Sequence, residues 1–358
     1  MKICIVSLMN IKHSSLISLY TDFFEKYNIN YDIIYADKYN IDEDIHAENI
    51  FKYTLNFKGT NSLVIKILKY IKFSLFAQKK IFKNKYDVVI IWRTETAFLL
   101  LPSIILKKYK YILNVRDYFF EKNFIIQKLM KFIVNNSIFT SISSPGFLDF
   151  LPKNEKYVFV NSINSNVLNI ASKNTEIKKK LPINISFIGY IRFIEEDKKL
   201  IKAFANDSRF MLSFIGEGSE KLQNYINHNN FKNIELTGGF PVSKTKDYLK
   251  SADIINNLYG NGIISLDTAI STRYYHSVVL NIPILVFKGT YMEKLVNCSQ
   301  GFVVKDYNNL PDDLFTWYMN LDYANLANAN SIKYDEIIEE NQKFVTMLKQ
   351  IFKVGEKY

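Results

Sequence analysis

"STRYYHSVVLNIPILVF" (residues 271–287) contains the two kinds of element from which the fold is built. A cation, two phenols and an imidazole stand near its start, and apolar residues at helical spacing follow them. Asn281 and Pro283 end the predicted helix, and the continuous apolar run behind Pro283 predicts a strand that is covered on both faces. A helix that leads directly into such a strand is typical of α/β folds with a parallel sheet.

Strands and helices alternate in this way along the chain. We predict strands near 2–8, 31–36, 87–92, 110–115, 138–142, 157–160, 184–189, 210–215, 233–237, 253–258, 283–287 and 301–304. Two consecutive series of strand–helix units indicate two facing, Rossmann-like doubly wound domains at 1–170 and 183–330, with a linker near 165–183. A helix near 332–352 is long enough for segment 331–358 to cross back to the first domain.

The composition is that of a globular cytoplasmic protein. Of the 358 residues, 48% are apolar and 23% are charged, which allows a sizeable core. The two cysteines, Cys4 and Cys298, form neither a disulfide framework nor a metal-binding pattern. The apolar start is cut by Asn10 and Lys12 and predicts a strand instead of a signal peptide. We expect no transmembrane helix.

Positive charge is concentrated in the first half of the chain. Residues 1–182 hold 27 Lys and Arg against 15 Asp and Glu, whereas residues 183–358 hold 19 against 20. Much of the excess lies in a predicted amphipathic helix within 58–85. Its lysines share an arc of about 140°, and they are Lys66, Lys69, Lys72, Lys79, Lys80 and Lys83. The opposite, apolar side is expected to face the core and comprises Val64, Ile67, Leu68, Tyr70, Ile71, Leu75 and Phe82.

This basic helix has two interpretations. It is an ordinary core helix with a solvated lysine face, or its residues 63–85 contact an anionic membrane surface. A nucleic-acid partner is disfavoured, because the cations lie on one helix without aromatic stacking platforms.

Two strand ends in the second half carry candidate anion-binding residues. "FMLSFIGEGSEKLQNYI" (210–226) has Gly216, Glu217 and Gly218 directly after a strand, and glycines let backbone N–H groups approach an anion. A third glycine of the dinucleotide fingerprint is replaced by Lys221, so a plain tight turn explains the stretch equally well. "ISFIGYIRFIEEDKKLIKAF" (185–204) ends its strand in a similar way, with Gly189, Arg192 and Lys198.

One strand end in the first half carries a candidate acid–base group. "NVRDYFFE" (114–121) places Arg116 and Asp117 at the end of an apolar strand. The two residues form a structural ion pair there, or Asp117 orients or deprotonates an acceptor hydroxyl. The four histidines show no metal-ligand spacing, and hydrolase, zinc-peptidase and P-loop motifs are absent from the sequence.

Five motifs in order resemble a known family over most of the chain. They are "SFIGYIR", "SFIGEGSEKLQ", "IELTGGFP", "YLKSADIINNL" and "TRYYHSVVLNIPILVFKGTYMEKLVNCSQGFVV". The series resembles GT-B glycosyltransferases, in particular the retaining, family-4-like enzymes of bacterial capsule and surface-polysaccharide synthesis. The resemblance implies a nucleotide-sugar site in the second domain and an acceptor site in the first.

The resemblance also assigns residues to that donor site. Arg273 stands where the family usually has a diphosphate-binding Lys, and His276 stands where many members have the second Glu of a Glu-x7-Glu pair. The first Glu position falls at Thr268, so the pair is absent as such, and Asn281 replaces a common Gly. Glu293 matches an acidic position near the donor sugar and is implied as catalytic together with Asp117 and Arg116. The full implied donor-binding set is Gly189, Arg192, Lys198, Gly216, Glu217, Gly218, Gly239, Phe240, Arg273, His276 and Thr290.

The expected function is therefore transfer of a hexose, with retention, from a UDP-sugar to a glycan or lipid-linked acceptor at the inner face of the plasma membrane. No metal or other cofactor is expected to be required, since side chains and helix ends neutralise the diphosphate in such enzymes. Two alternatives stay open: a GT-B-like nucleotide-sugar epimerase, and a non-catalytic partner subunit of a glycosyltransferase.

Overall fold

The structure is a computed structural model that describes residues 1–55, 62–163 and 176–354, apart from the side chains of Ser15 and Val242. It divides into two compact units. Unit 1 comprises Met1–Asn164 and Glu340–Tyr358, and unit 2 comprises Ser165–Glu339. Residues 165–175 of the predicted linker lie outside the described residues.

Unit 1 is built on one parallel sheet. Its strands are β1 (Ile3–Ser7), β2 (Asp32–Asp37), β3 (Asn49–Thr54), β4 (Val88–Trp92), β5 (Lys110–Val115), β6 (Thr140–Ile142) and β7 (Tyr157–Phe159). Its helices are α1 (Ser18–Lys26), α2 (Leu63–Asn84), α3 (Thr94–Leu99), α4 (Leu101–Ile105) and α5 (Phe124–Asn136). The strand order is β3-β2-β1-β4-β5-β6-β7, and neighbouring strands pair in parallel.

Unit 2 repeats this architecture. Its strands are β8 (Ile183–Ile188), β9 (Phe210–Ile215), β10 (Ile234–Gly238), β11 (Ile254–Asn256), β12 (Ile284–Phe287) and β13 (Gly301–Val304), in the order β10-β9-β8-β11-β12-β13. Its helices are α6 (Ile194–Ala203), α7 (Gln223–Asn229), α8 (Thr245–Ser251), α9 (Ile264–Asp267), α10 (Thr272–Leu280) and α11 (Leu310–Asn320). The central strands are buried on both faces, and the apolar sequence of β12 predicts this burial.

Most predicted strands are confirmed to within a residue or two, but β3 was missed. The sequence of β3, "NIFKYT", mixes polar and apolar residues, and the strand lies at the edge of its sheet with an exposed side. An edge strand of this kind lacks the apolar run by which the buried strands were recognised.

The last helix, α12 (Tyr323–Ile351), begins nine residues earlier than the predicted start at 332. Its first turns contain several asparagines, which are weak helix formers. Asn330 is 1% exposed and bonds with Gln300 and Asn281, so tertiary contacts stabilise the helix where propensity does not.

The end of α12 belongs to the core of unit 1. Phe344 packs edge-on against Tyr20 of α1 at a ring distance of 5.4 Å, and Phe352 packs against Phe24 at 5.2 Å. These aromatic contacts fill the space between α1 and the sheet. The returning segment thereby completes the core of unit 1.

The prediction for the apolar side of α2 was wrong. The residues that α2 buries are Phe73, Ser74, Ala77 and Ile81, whereas the predicted core residues, Tyr70 apart, are exposed. Lys80 lies 4.3 Å from the Phe51 ring of β3, so part of the predicted lysine face turns toward the sheet. A contact of this kind is invisible in the periodicity of the helix alone.

We predict that Phe344→Ala destabilises unit 1 by about 3–5 kcal/mol, because it leaves a cavity among aromatic rings. Gln350→Ala, at an exposed position of the same helix, is the matched control and should change stability by less than about 0.5 kcal/mol. Urea denaturation of both variants measures this. Equal stabilities for the two variants would contradict the assignment of this helix end to the core.

Candidate functional site

The strand order of unit 2 reverses between β8 and β11. β9 and β10 lie on one side of β8, whereas β11, β12 and β13 lie on its other side. In doubly wound sheets, ligands bind at the carboxyl ends of the two strands that flank this switch point. Gly189 follows β8, and Asn257 and Tyr259 follow β11, so these loops border the expected site.

Arg273 lies at this switch point. Its guanidinium carbon is 3.8 Å from the centre of the Phe187 ring of β8 and 5.2 Å from the Tyr259 ring. The residue is only 7% exposed, and its Nε has no hydrogen-bond partner among the described residues. Ser271 caps α10 by accepting a hydrogen bond from the Arg273 N–H at 3.2 Å, which fixes the start of the helix.

The charge of Arg273 is only partly compensated. Burial lowers the pKa of its guanidinium to about 9, and the opposing effect of Asp197 is smaller. Asp197 is 2% exposed, its Oδ2 has no partner among the described residues, and burial raises its pKa to about 7. Arg192 adds a second positive charge that disfavours the charged form of Arg273. At neutral pH the site therefore carries excess positive charge in a desolvated place, an arrangement that favours an anion.

Glycines allow the loops after β8 and β9 to pack at backbone distance. A Cβ on Gly189 would lie 2.8 Å from Nη2 of Arg273, and one on Gly216 would lie 2.0 Å from the Gly189 carbonyl oxygen. A Cβ on Gly218 would lie 2.2 Å from the carbonyl oxygen of Ile191. All three glycines also have positive φ angles of 95–144°. The Gly-x-Gly turn thus has a specific packing role beside Arg273.

Two other predicted donor residues lie in the same loops but make local contacts. Arg192 is exposed, with its guanidinium carbon 4.8 Å from the Phe193 ring. Glu217 has an exposed side chain and uses its carbonyl to accept a hydrogen bond from the Ile191 N–H at 2.9 Å. Lys198 is on α6 and forms an ion pair with Glu195 at 2.7 Å, one helical turn away.

Gly239 and Phe240 follow β10, at the edge of the sheet. The Gly238 N–H donates to Oγ of Ser219 at 2.9 Å, which ties this strand end to the Gly-x-Gly turn. The ring of Phe240 lies 4.8 Å from that of Tyr248 of α8.

Thr290 and Glu293 follow β12 and form a closed turn. Glu293 accepts a hydrogen bond from the Gly289 N–H at 2.7 Å, and the Thr290 hydroxyl donates to the Phe287 carbonyl at 2.7 Å. Among the described contacts, these side chains serve the turn that leaves β12.

His276 lies one turn after Arg273 on α10. Burial, and to a smaller extent Arg273, lower the pKa of its imidazole to about 4. His276 is therefore neutral at physiological pH and offers one donor and one acceptor nitrogen. Thr268, at the other altered family position, donates its hydroxyl proton to the Ile264 carbonyl at 2.6 Å.

Sequence reasoning missed Asp197, Phe187 and Tyr259 as parts of this site. None of the three was singled out in the sequence, although Phe187 lies in a predicted strand. The available signal was topological, because Phe187 and Tyr259 belong to the two strand ends at the switch point.

The switch point of unit 1 lies between β1 and β4 and contains a residue that was also missed, Arg93. Arg93 has a φ angle of +75°, which is rare for a residue with a side chain. Its guanidinium contacts Oδ2 of Asp117 at 2.9 Å, Oε1 of Glu95 at 3.2 Å and the sulfur of Met9 at 3.2 Å. Arg93 therefore joins the ends of β1, β4 and β5.

Asp117 and Arg116 diverge at the end of β5. Asp117 is exposed and paired with Arg93, whereas Arg116 lies with its guanidinium carbon 4.8 Å from the Trp92 ring and donates to Asn114 at 2.6 Å. The Asp117 ion pair is thus made with a distant residue of the sequence.

A buried carboxyl group, Glu121, follows in the same loop. It is 0% exposed, its Oε1 has no partner among the described residues, and burial raises its pKa to about 7. Its other oxygen accepts a hydrogen bond from the Phe119 N–H.

The described ranges contain neither a cluster of metal-ligand side chains nor a helix suited to span a membrane. Within 1–55, 62–163 and 176–354, no three His, Cys, Asp or Glu side chains are grouped as metal ligands would be. No helix in these ranges is long and apolar enough to cross a membrane.

No protein-family model matches the chain, and no curated protein sequence is significantly similar to it. Solved structures are similar over nearly its whole length. Sucrose-phosphate synthase from Thermosynechococcus elongatus has a TM-score of 0.73 at 10% identity, covering 98% of this chain and 99% of its own. HepE from Anabaena, in complex with UDP and glucose, has a TM-score of 0.67 at 12% identity, covering 98% and 100%.

A glycosyltransferase from Rickettsia africae has a TM-score of 0.65 at 13% identity, covering 98% of this chain and 99% of its own. At such low identities these similarities establish the fold alone. The chain has the GT-B fold of two parallel-sheet α/β domains, as the sequence motifs predicted.

We predict that Gly216→Ala destabilises unit 2 by about 2 kcal/mol or more, since its Cβ would overlap the Gly189 carbonyl at a φ angle that disfavours alanine. Gly239→Ala is the matched control, because its Cβ would meet Cβ of Glu217 at an ordinary 3.9 Å. Thermal denaturation compares the two. A Gly216→Ala variant as stable as the control would show that the two loops do not pack this closely.

Proposed function

We propose that the chain is a glycosyltransferase that takes its sugar from a UDP-sugar bound by unit 2. The observation that carries this proposal is the buried Arg273 guanidinium, with an unpartnered Nε, at the switch point of the unit 2 sheet. A cation that is buried without full compensation is costly, and a bound anion offsets that cost.

A diphosphate fits this environment best. Arg273 offers several donors in a planar arrangement that suits phosphate oxygens, and Arg192 supplies a second charge nearby. Gly189 and Gly216 let the two loops pack at backbone distance beside Arg273, which holds the loops close to the proposed diphosphate. The positive end of the α10 dipole lies at the same place, since Arg273 is in the first turn. These groups neutralise the diphosphate with side chains and a helix end, so we propose that no metal is required.

The remaining donor residues surround this centre in our proposal. His276, neutral at physiological pH, replaces a carboxylate as a hydrogen-bonding group for the ribose. Gly239 and Phe240 lie toward the base, and Thr290 and Glu293 lie toward the sugar. Lys198 and Glu217 lie near the loops that contact the diphosphate in this proposal. The complex of the structurally similar HepE with UDP and glucose supports the choice of UDP.

Asp117 of unit 1 is the proposed acceptor-binding and catalytic group. Its exposed carboxylate is oriented by Arg93 and accepts a hydrogen bond from the acceptor hydroxyl. The hydroxyl oxygen bonds to the anomeric carbon on the face from which the diphosphate leaves and gives its proton to the Asp117 carboxylate. The bond from the anomeric carbon to the diphosphate oxygen breaks, and its electron pair leaves with the diphosphate. Arg273 and Arg192 stabilise that leaving charge. Arg116 supports this loop through its hydrogen bond to Asn114. We propose that the transferred sugar is a hexose and that its anomeric configuration is retained.

We propose a glycan or lipid-linked acceptor, as used in the synthesis of bacterial capsule or other surface polysaccharide. An enzyme with such a substrate works at the inner face of the plasma membrane. The lysine-rich residues 63–85 suit a peripheral location of this kind, because anionic lipid attracts exposed lysines.

A panel of nucleotide sugars, each with and without candidate acceptors, tests the reaction class. Release of UDP that increases with an acceptor supports a transferase. Conversion of the sugar without release of UDP indicates the epimerase alternative, and binding without any turnover indicates a non-catalytic subunit.

We predict that Arg273→Met weakens UDP binding about 30-fold, or about 2 kcal/mol, because a charge-assisted contact to the diphosphate is lost. Stability should not fall, since the variant removes a buried cation. Arg209→Met is the matched control: Arg209 precedes β9 at the opposite end of the strand and pairs with Asp207 and Asp312. Calorimetric titration measures binding. A folded Arg273→Met variant with unchanged affinity would refute the role of Arg273.

A further inference from the structure

Helix α2 presents apolar side chains to solvent. Eight of them are 40–73% exposed: Leu63, Val64, Ile65, Ile67, Leu68, Ile71, Leu75 and Phe82. Six of the eight, all except Leu63 and Ile65, fall within an arc of about 100° at the helical period, so they form a continuous stripe. The helix is held on the sheet by a different side, which contains Phe73, Ala77 and Ile81. Scattered apolar residues on a surface are ordinary, but a stripe of this length indicates an interaction site.

A second apolar projection precedes and begins α5. Phe120, Phe124 and Ile125 are 65%, 66% and 67% exposed. Phe120 has a φ angle of +59°, an unfavourable conformation for a bulky residue. Asn123 caps α5 by accepting hydrogen bonds from the N–H groups of Ile125 and Ile126, which fixes the turn. An exposed aromatic ring on a strained but hydrogen-bonded turn is difficult to explain by folding alone.

The topology places both projections on one side of unit 1. The connections β3 to β4, β4 to β5 and β5 to β6 cross the sheet in the same direction, so their helices α2 to α5 cover the same face. The start of α2 follows β3, and residues 120–125 follow β5. Both therefore lie toward the carboxyl edge of the sheet, where Asp117 also lies.

Exposed lysines accompany these apolar residues. On α2 they are Lys66, Lys72, Lys79 and Lys83, and around the second projection they are Lys122 and Lys128. Lys128 lies with Nζ 4.2 Å from the Phe124 ring, so cation and apolar group are presented together. Both projections lie in the first half of the chain, residues 1–182, which holds 27 basic and only 15 acidic residues.

We infer that these residues, here called the apolar–basic surface, insert into the interface of an anionic lipid bilayer. The surface comprises the eight apolar residues of α2, Phe120, Phe124, Ile125 and the six exposed lysines. Apolar side chains enter the boundary between head groups and acyl chains, and lysines pair with anionic head groups around them. Charge complementarity selects this occupant, because a second apolar protein surface would not require a lysine border.

This inference rests on the proposed function, because a lipid-linked acceptor gives the enzyme a reason to bind a membrane. A hydroxyl on a lipid-linked acceptor would reach the protein at the edge of the sheet that carries Asp117. Binding by two signals, apolar insertion and charge, would hold unit 1 at the surface where that acceptor resides.

The test is flotation of the full chain with vesicles of phosphatidylglycerol and phosphatidylcholine, compared with vesicles of phosphatidylcholine alone. We expect binding to the anionic vesicles at low salt and reduced but measurable binding at 0.5 M salt, since salt screens the lysines and leaves the apolar contacts. Binding to the neutral vesicles should be at least tenfold weaker at low salt.

Three variants locate the binding surface. Leu68→Gln/Ile71→Gln/Leu75→Gln and, independently, Phe124→Gln/Ile125→Gln should each weaken vesicle binding at least tenfold. The matched control is Ile105→Gln/Leu106→Gln, which changes two residues of 55% and 60% exposure at the end of α4, toward the opposite edge of the same sheet. It should bind vesicles as the wild type does. Circular dichroism and UDP titration verify that each variant is folded.

Three results would overturn the inference. The first is wild-type protein that does not bind anionic vesicles at low salt, and the second is an α2 variant that still binds them fully. The third is a dimer in the absence of lipid that the α2 variant converts to a monomer, which would make the surface a contact between two copies. UDP titration separates this inference from the proposed donor site. A wild-type protein that binds UDP but not vesicles would refute only the apolar–basic surface. A protein that binds vesicles but not UDP would refute only the donor site.

Discussion

The burial of the Arg273 guanidinium is the constraint on which the arrangement of unit 2 depends. Removing a cation from water costs several kcal/mol, and the nearby Asp197 offsets that cost only in part, as the lowered pKa of Arg273 and the raised pKa of Asp197 both indicate. The ring of Phe187 supplies a further attraction at 3.8 Å. The neighbouring backbone then has to leave room for the cation, which explains why Gly189 cannot carry a side chain.

The same constraint links the strand ends to one another. Gly189 approaches Arg273, Gly216 approaches Gly189, and the turn at Gly216 is tied to β10 through Ser219. Each contact is specified by the absence of a Cβ or by one hydrogen bond. A site that is built before any ligand arrives loses little freedom on binding, and its positive charge favours an anion such as a diphosphate. The half-buried His276, which is neutral at physiological pH, belongs to the same preorganised region.

The parallel sheets could be predicted because several central strands, such as β4 and β12, are unbroken apolar runs. Prediction failed where contacts between distant parts of the chain decide the outcome. β3 is an amphipathic edge strand, the start of α12 is stabilised by the buried Asn330, and α2 rests on the sheet through Phe73, Ala77 and Ile81 instead of its most apolar side. In α2 the helical period was right, but the periodicity could not say which side the protein covers.

The site shows the same limit. Residues directly after strands, such as Gly189, Gly216 and Asp117, could be selected from the sequence, because parallel topology brings strand ends together. Other site residues could not be selected in this way, because their role depends on a partner that is distant in the sequence. Arg93 pairs with Asp117, which lies 24 positions away. Asp197 and Tyr259 both lie near Arg273, at separations of 76 and 14 positions. The ion pair of Asp117 with Arg93 in particular depends on the adjacency of β4 and β5.

We propose that UDP binds at the switch point of the unit 2 sheet, around Arg273. Hydrogen–deuterium exchange with and without saturating UDP tests it most directly, because every loop of the chain is followed in one experiment. If UDP binds there, amide exchange should be slower in residues 187–192, 215–219 and 271–277 and unchanged in residues 1–163. Protection confined to unit 1, or no protection in the peptides that contain Gly189 and Arg273, would contradict it.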